Sequence, residues 1–205
     1  TVLELGCGTG TTALSLAPDV ARLVGTDVSG EMIATAREKA RAQGCGNAEF
    51  AIAPADRTLG ADGAFDAVLA FNVLHLIADR SAALQQALRA LKPGGLLISK
   101  TPCLSEMNPL RRLVVPVARL LGKAPHVAFF SALELESEIE REGFTIVERA
   151  RHGSGRKDAR IFIVARAQNS VTKHRDPEAR ARAAPRAADG ESDPQTSQPG
   201  MAHRI

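Results

Sequence analysis

The sequence has few cysteines, no long apolar run and no strong excess of charge. Its three cysteines, Cys7, Cys45 and Cys103, are odd in number and scattered, which argues against a disulfide framework or a zinc site. No apolar run approaches the roughly 20 residues needed to span a bilayer. The formal net charge is +3, with 44% apolar and 24% charged residues. We therefore expect a globular protein of the cytoplasm, with small buried thiols and no bound metal.

The chain changes character near residue 168. Residues 168–205 are rich in alanine, arginine, proline and serine and contain no aromatic residue, which predicts a disordered tail. Basic and acidic residues nearly balance in this segment, which argues against a nucleic-acid-binding arm. Residues 1–167 are long enough to form one domain with a full core.

The most informative motif is a glycine loop, residues 6–10, that follows an apolar strand. Gly6, Gly8 and Gly10 occupy alternate positions, so a ligand can lie against backbone without meeting a Cβ atom. The helix expected next would point its free N–H groups at that ligand. A dinucleotide fingerprint needs a sixth-position glycine, but that position is Thr11. The pattern is GxGxG preceded by Glu4, which indicates a different nucleotide-type ligand.

A carboxylate follows the second predicted strand. Asp27 stands 21 residues after the first glycine of the loop, a spacing that suits one helix and two short connections. At the end of a neighbouring parallel strand it can accept hydrogen bonds from both hydroxyls of a ribose. The alternative is that Asp27 only caps the next helix. Ser29 is the better cap, with Met32, Ile33 and Ala36 as the buried stripe.

Two further motifs complete the pattern. Phe65 and Asp66 open another buried strand. Its end at residues 71–75, which begins with Phe71 and Asn72, should lie at the rim beside the ligand, because open parallel sheets bind ligands beyond the carboxyl ends of their strands. Residues 92–95, Lys-Pro-Gly-Gly, then form a turn that leads into a fifth strand.

In this order and spacing, the four motifs resemble the class I S-adenosylmethionine-dependent methyltransferases. The resemblance implies S-adenosylmethionine as the cofactor. Many family members carry an aspartate about a dozen residues before the Phe-Asp pair, where it receives the adenine amino group; Pro54 stands there in this chain, and Asp56 is the substitute. The cofactor-binding residues that we expect from the resemblance are Glu4, Gly6, Cys7, Gly8, Gly10, Asp27, Val28, Met32, Ala55, Asp56, Phe71 and Asn72.

The resemblance implies transfer of a methyl group to a small molecule. It is nearest to the quinone-biosynthesis branch, and the fourth strand ends in residues 71–74, Phe-Asn-Val-Leu, without the Asn/Asp-Pro-Pro-Tyr/Phe motif of amino-methylating DNA enzymes. We expect His75, or with less support His126, as the general base; His75 has a structural alternative as a packed loop residue. The apolar segment 110–121 predicts a cover helix that could line a lipophilic pocket or touch a membrane surface.

The predicted fold is a doubly wound, Rossmann-like α/β sheet of about seven strands with the last strand antiparallel. Since the first strand stands at the start of the chain, the resemblance also implies an N-terminally shortened domain that lacks its cover. The predicted strands lie near 2–6, 22–27, 48–52, 65–71, 95–100, 144–150 and 160–165, and the predicted helices near 10–17, 30–43, 79–91 and 132–142.

Two alternatives to an active methyltransferase stay open at this point. One is an NAD-type oxidoreductase on a similar fold, against which the missing sixth-position glycine and the Pro-Gly-Gly turn both count. The other is a non-catalytic module that binds S-adenosylmethionine without transferring the methyl group.

Overall fold

The computed structural model describes residues 1–57, 62–106, 127–151 and 160–168. The predicted cover helix at 110–121, His126 and the tail beyond Gln168 lie outside these residues. Helices follow β1, β2 and β4 in the first part of the described chain. The elements are β1 (Val2–Leu5), α1 (Thr11–Leu16), β2 (Leu23–Asp27), α2 (Gly30–Ala42), β3 (Ala48–Ile52), β4 (Phe65–Phe71), α3 (Arg80–Ala90), β5 (Leu91–Pro102), α4 (Ala132–Arg141), β6 (Phe144–Ala150) and β7 (Arg160–Ala167).

All seven strands form one sheet in the order β3-β2-β1-β4-β5-β7-β6. The first five strands are parallel to one another, whereas β7 is antiparallel to both β5 and β6. The predicted doubly wound sheet with an antiparallel last strand is confirmed. The chain winds outwards from β1 in one direction to β3 and in the other from β4 onwards. The carboxyl ends of β1 and β4 therefore meet at a topological switch point, where such sheets bind ligands.

The fifth strand begins earlier than the sequence pattern predicts. It starts at Leu91, which pairs with Phe65, and its register with β4 then shifts before regular pairing resumes. The shift accommodates the turn residues 93–95, so the turn is an irregularity within the strand and not a loop before it. The ammonium of Lys92 lies 2.6 Å from the Asp66 carboxylate, which joins two of the sequence motifs and holds the pKa of that carboxyl below its usual range.

Hydrophobic cores cover both faces of the sheet. The face that packs on α3 and α4 buries the larger set, including Val68, Leu84 and Ile139. The opposite face packs on α1 and α2 through a smaller cluster that includes Ile33 and Phe50. Side chains alternate between faces along each strand, so the two cores fix the register of the strands and thereby the positions of the strand ends.

Ser29 caps α2 as predicted, since its hydroxyl accepts a hydrogen bond from the Met32 amide at 3.3 Å. Ile33 and Ala36 are fully buried below the helix. Met32 differs from the predicted stripe because its side chain is 43% exposed. It stands on the side of the helix that turns towards solvent, and it is not part of the core that anchors α2.

Helices α3 and α4 are joined by a half-buried ion pair. The Arg80 guanidinium lies 2.9 Å from the Glu138 carboxylate and 4.3 Å from the centre of the Phe130 ring. At the start of α4, Ser131 and Glu134 form a capping box, in which each side chain accepts a hydrogen bond from the backbone amide of the other residue. The contacts of Arg80 tie the beginning of α3, which borders the candidate site, to α4 and Phe130.

Candidate functional site

A cavity of about 370 Å³ lies at the carboxyl ends of β1, β2 and β4, within the size range of small-molecule sites. It stands where the strand order reverses, which is the position that the fold predicts for a ligand. Six of the residues predicted from the sequence line it: Gly6, Asp27, Val28, Ala55, Asp56 and Asn72.

The three glycines of the loop have different physical roles. A Cβ atom on Gly6 would lie 2.8 Å from the Val73 Cβ and nearer still to one of its methyl groups. A Cβ atom on Gly10 would lie 2.9 Å from Ala36. Gly8 has a positive φ of 54°, but a Cβ there would meet nothing within 4 Å. Gly6 and Gly10 are thus required for close packing inside the protein, and Gly8 alone leaves open space above the backbone.

Asp27 holds the glycine loop and the start of α2 together. One carboxylate oxygen accepts a hydrogen bond from the Gly8 amide and the other from the Ser29 amide, both at 2.9 Å. The capping-only interpretation does not describe this arrangement, because Ser29 supplies the side-chain cap of α2. Each carboxylate oxygen can accept a second hydrogen bond, so the pair remains able to receive the hydroxyls of a sugar.

Glu4 is a buried acid directly beneath the loop. Its side chain is 3% exposed, and Oε2 has no hydrogen-bond partner among the described residues. Burial raises the pKa of this carboxyl from 4.5 to about 7, while a hydrogen bond from the Ala13 amide opposes the shift. Near neutral pH the group is therefore divided between its neutral and charged forms.

Other predicted site residues stand beside the cavity without lining it. The Cys7 side chain is buried in the core on the α2 side, where its thiol donates to the Gly8 carbonyl oxygen at 3.7 Å. Burial raises the pKa of this thiol to about 12. Met32 projects from α2, and Phe71 is half-buried at the end of β4. Of the three loop glycines, Gly6 lines the cavity, whereas Gly8 and Gly10 do not.

Asn72 has a strained backbone at the end of β4. Its φ is +54°, and it is the one described residue other than glycine with a positive φ. Its amide donates to the Lys100 carbonyl oxygen at 2.8 Å, which keeps β4 and β5 paired up to this point. Strained residues of this kind concentrate at binding and catalytic sites, and Asn72 lines the cavity.

His75 lies in a short helical turn, Leu74–Leu76, after β4. Its ring is half-buried, and its Nδ1 has no partner among the described residues. Burial lowers the pKa of the imidazole, so the ring is neutral at pH 7 and able to accept a proton. His75 is adjacent in sequence to Leu76, which lines the cavity, but His75 is not itself a lining residue.

The sequence placed residues 71–75 at the rim but did not identify the rest of the wall that follows β4. Val73, Leu76, Ile77 and Ala78 form an apolar side of the cavity, and Leu76 is 43% exposed. Asp79 closes this side, where its carboxylate also caps α3 by accepting from the Ala82 amide at 2.9 Å. The available signal was an apolar run directly after a strand end, followed by an aspartate at a helix start.

A larger, shallow groove of about 890 Å³ lies between α2 and β3. Arg37 and Arg41 line it, and the Arg37 guanidinium donates two hydrogen bonds to the Phe50 carbonyl oxygen on the sheet edge. This groove lies along the flank of the sheet and not at the strand ends. Among the described residues no cluster of metal-ligating side chains is found, and no helix there is long and apolar enough to cross a bilayer.

Known proteins are similar to the first half of this chain. Residues 2–95 match the family described as a methyltransferase domain. The chain is 34% identical over 102 residues to the ubiquinone/menaquinone biosynthesis C-methyltransferase of Geotalea daltonii, a match that covers 47% of this chain and 43% of that protein. It is 32% identical over 142 residues to an uncharacterized methyltransferase of Bacillus subtilis, covering 65% of this chain and 56% of that protein.

Solved structures share the fold. An S-adenosylmethionine-dependent methyltransferase from Methanosarcina mazei superposes with a TM-score of 0.68 at 23% identity, covering 82% of this chain and 92% of that chain. The [4+2]-cyclase SpnF superposes with a TM-score of 0.65 at 22% identity, covering 82% and 75%. The motifs and the family match over residues 2–95 are similar to those of class I S-adenosylmethionine-dependent methyltransferases, and the fold is shared with solved structures of such enzymes. The chain spans about half of the length of the curated relatives it matches.

Proposed function

We propose that the chain is an S-adenosylmethionine-dependent methyltransferase and that the cavity at the strand ends is its cofactor site. The observation that carries this proposal is the charge of the cavity wall. Asp27, Asp56 and Asp79 line it, and no described lysine, arginine or histidine does. A cationic sulfonium is favoured beside carboxylates, whereas the pyrophosphate of NAD would be repelled by them.

The proposed roles follow from position. Asp27 receives the ribose hydroxyls, Asp56 with Ala55 receives the adenine, and Asn72 lies at the rim beside the methyl group. The glycine loop provides backbone against which the methionine end can lie, with Gly8 as the open position and Glu4 as the buried acid beneath it. Val28, which is 71% exposed beside the cavity, and Met32 would pack on the adenosine, and Phe71 would pack below Asn72.

When bound, S-adenosylmethionine supplies an activated methyl group on its sulfonium. The chain contributes position and the exclusion of water. The apolar wall of Leu76 and Ile77 removes water from the rim, which strengthens the attraction of nearby carboxylates for positive charge. His75, neutral at pH 7, accepts the acceptor's proton at Nε2, because its Nδ1 is buried.

For the methyl acceptor, we propose a small lipophilic molecule such as a prenylated hydroquinone. The support is the apolar wall of the cavity after β4 and the similarity to a C-methyltransferase of quinone biosynthesis. We further propose that residues 1–167 form the catalytic domain and that the protein works in the cytoplasm, which is consistent with three free thiols.

A non-catalytic or differently catalytic binding module is the second candidate. The fold also occurs in a [4+2]-cyclase, so the fold alone does not determine the reaction. Radiolabelled methyl transfer to a prenylated hydroquinone separates the two candidates. We expect His75→Ala to lower kcat about 100-fold or more with an unchanged dissociation constant for S-adenosylmethionine; binding without any transfer in the unmodified protein would favour the second candidate.

Calorimetric titration with S-adenosylmethionine, S-adenosylhomocysteine and NAD tests the site. We expect the first two to bind and NAD not to bind. Asp27→Ala should weaken the binding of S-adenosylhomocysteine by about 10- to 100-fold, because a charged hydrogen-bond acceptor is lost. The matched control is Asp19→Ala, an exposed aspartate outside the cavity, which should leave the affinity unchanged. Binding of NAD alone, or equal effects of the two variants, would contradict the proposal.

A further inference from the structure

The glycine loop is held from the inside by several contacts. The Gly8 amide donates to Asp27 at 2.9 Å, and the Cys7 amide donates to the Thr26 carbonyl oxygen of β2 at the same distance. The Gly10 amide in turn donates to the Cys7 carbonyl oxygen at 2.9 Å. These bonds fix both ends of the loop, but none of them involves Thr9.

Helix α2 packs against the second half of the loop. The helix begins just after Asp27, and its second turn places Ala36 beneath Gly10, with no room for a Cβ between them. A side chain one turn further along therefore lies beside the outer side of the loop, since residues three apart share a helix face. That side chain is Lys39.

The Lys39 ammonium contacts two threonines of this segment at once. It donates to the Thr9 hydroxyl at 3.0 Å and to the Thr11 hydroxyl at 3.4 Å. The two hydroxyls lie 3.4 Å from each other, so the three polar atoms form a closed triangle across the loop. Among the residues that the structure describes, Lys39 has no acidic partner. Its ammonium donates hydrogen bonds to the two threonine hydroxyls instead.

We propose that Lys39 is a positioning residue that holds the glycine loop in its ligand-ready shape from the outer side. The inference rests on the proposed function of the cavity. Lys39 lies outside the cavity wall, so it acts on the ligand through Thr9 and the loop backbone. A loop fixed before the ligand arrives binds more tightly, because less conformational entropy is lost on binding.

The test compares Lys39→Met with Arg41→Met. Arg41 is a cation on the same helix whose guanidinium, within the described part of the chain, donates to the backbone of its own helix at 3.3 Å, so Arg41→Met is the matched control. We expect Lys39→Met to weaken the binding of S-adenosylhomocysteine by about three- to tenfold. Lys39→Arg should restore part of the affinity, and Arg41→Met should leave the affinity unchanged. Thr9→Val should give a similar loss, and the double variant Lys39→Met/Thr9→Val should lose no more than the larger single loss, because one interaction is removed twice.

Amide hydrogen exchange without ligand separates this proposal from the proposed function. Lys39→Met should accelerate exchange at the Gly8 and Gly10 amides about threefold or more, while amides in the middle of β4 stay unchanged. Unchanged exchange at both loop amides, or losses of affinity that multiply in the double variant, would overturn the role of Lys39. Absence of S-adenosylhomocysteine binding in the unmodified protein would instead overturn the function of the cavity, and exchange would still decide the role of Lys39.

Discussion

Replacing the buried acid beneath the glycine loop should change how stability depends on pH. Glu4 has a pKa of about 7 in the folded protein against 4.5 as the reference value. The folded form therefore keeps a proton that the unfolded form has released between these two values. Stability must fall as pH rises through this window and level off above pH 7. At 1.36 kcal/mol per pKa unit, the full loss is about 3 kcal/mol.

Glu4→Gln removes this dependence, because glutamine has the shape of the protonated acid and no charge. We expect the variant and the unmodified protein to have similar free energies of unfolding at pH 5. At pH 8 the variant should be more stable by about 3 kcal/mol. Urea unfolding at pH 5, 6, 7 and 8 measures the difference, in which the contributions of all other titrating groups cancel.

An exposed glutamate provides the matched control. Glu49 pairs with Arg22 at 2.9 Å, and this hydrogen bond lowers the pKa of the Glu49 carboxyl. The contribution of this ion pair to the free energy of unfolding is therefore lost only as pH falls below the ordinary pKa of a glutamate. Glu49→Gln should show a stability difference that is constant from pH 6 to 8. A constant difference for Glu4→Gln over pH 5 to 8 would refute the reasoning about burial.

Four single substitutions and one double variant test the packing and pairing in and around the site. Gly6→Ala should lower the free energy of unfolding in urea by about 2–4 kcal/mol, since the new methyl group meets a valine side chain at a positive φ. Gly8→Ala should lower it by only about 1–2 kcal/mol, because the space above Gly8 is open. Equal losses for the two variants would contradict the assigned roles. Ser131→Ala should cost about 1 kcal/mol by removing the capping box of α4, and an unchanged melting temperature would contradict it. Arg80→Met should cost about 2–4 kcal/mol by leaving Glu138 half-buried without its partner, and Glu138→Gln added to it should recover part of the loss; no recovery would argue against an ion-pair effect.

Periodic and glycine-based signals predicted the fold well. Alternating strands and helices, with a short connection between the last two strands, indicated a parallel sheet with one antiparallel strand, and all seven strands are present. The start of β5 was placed four residues late. Leu91 pairs with β4 before the Pro-Gly-Gly turn, and only the tertiary pairing, which no local pattern records, makes that residue part of the strand.

The parts of the candidate site that depend on a special backbone conformation or on a charged side chain were predictable. Gly6, Asp27 and Asn72 were identified from spacing and from strand ends, and all three line the cavity. The roles of the glycines were not predictable, because the contacts of Gly6 and Gly10 come from Val73 and Ala36, which are distant in sequence.

The part of the apolar wall beyond residue 75 was missed for a related reason. A short apolar run has the same pattern in a core as in a binding site. The contact of Lys39 with the loop was missed because a lysine on an amphipathic helix is usually a solvated surface residue.

The most direct test of the central claim is to locate the ligand on the protein. Amide hydrogen exchange with and without S-adenosylhomocysteine should show protection at residues 6–10, 27–29, 53–56 and 72–73, which surround the cavity at the strand ends. Residues 34–46, along the groove beside α2, should exchange as in the free protein. Protection confined to that groove, with none at the glycine loop or Asp27, would contradict the account.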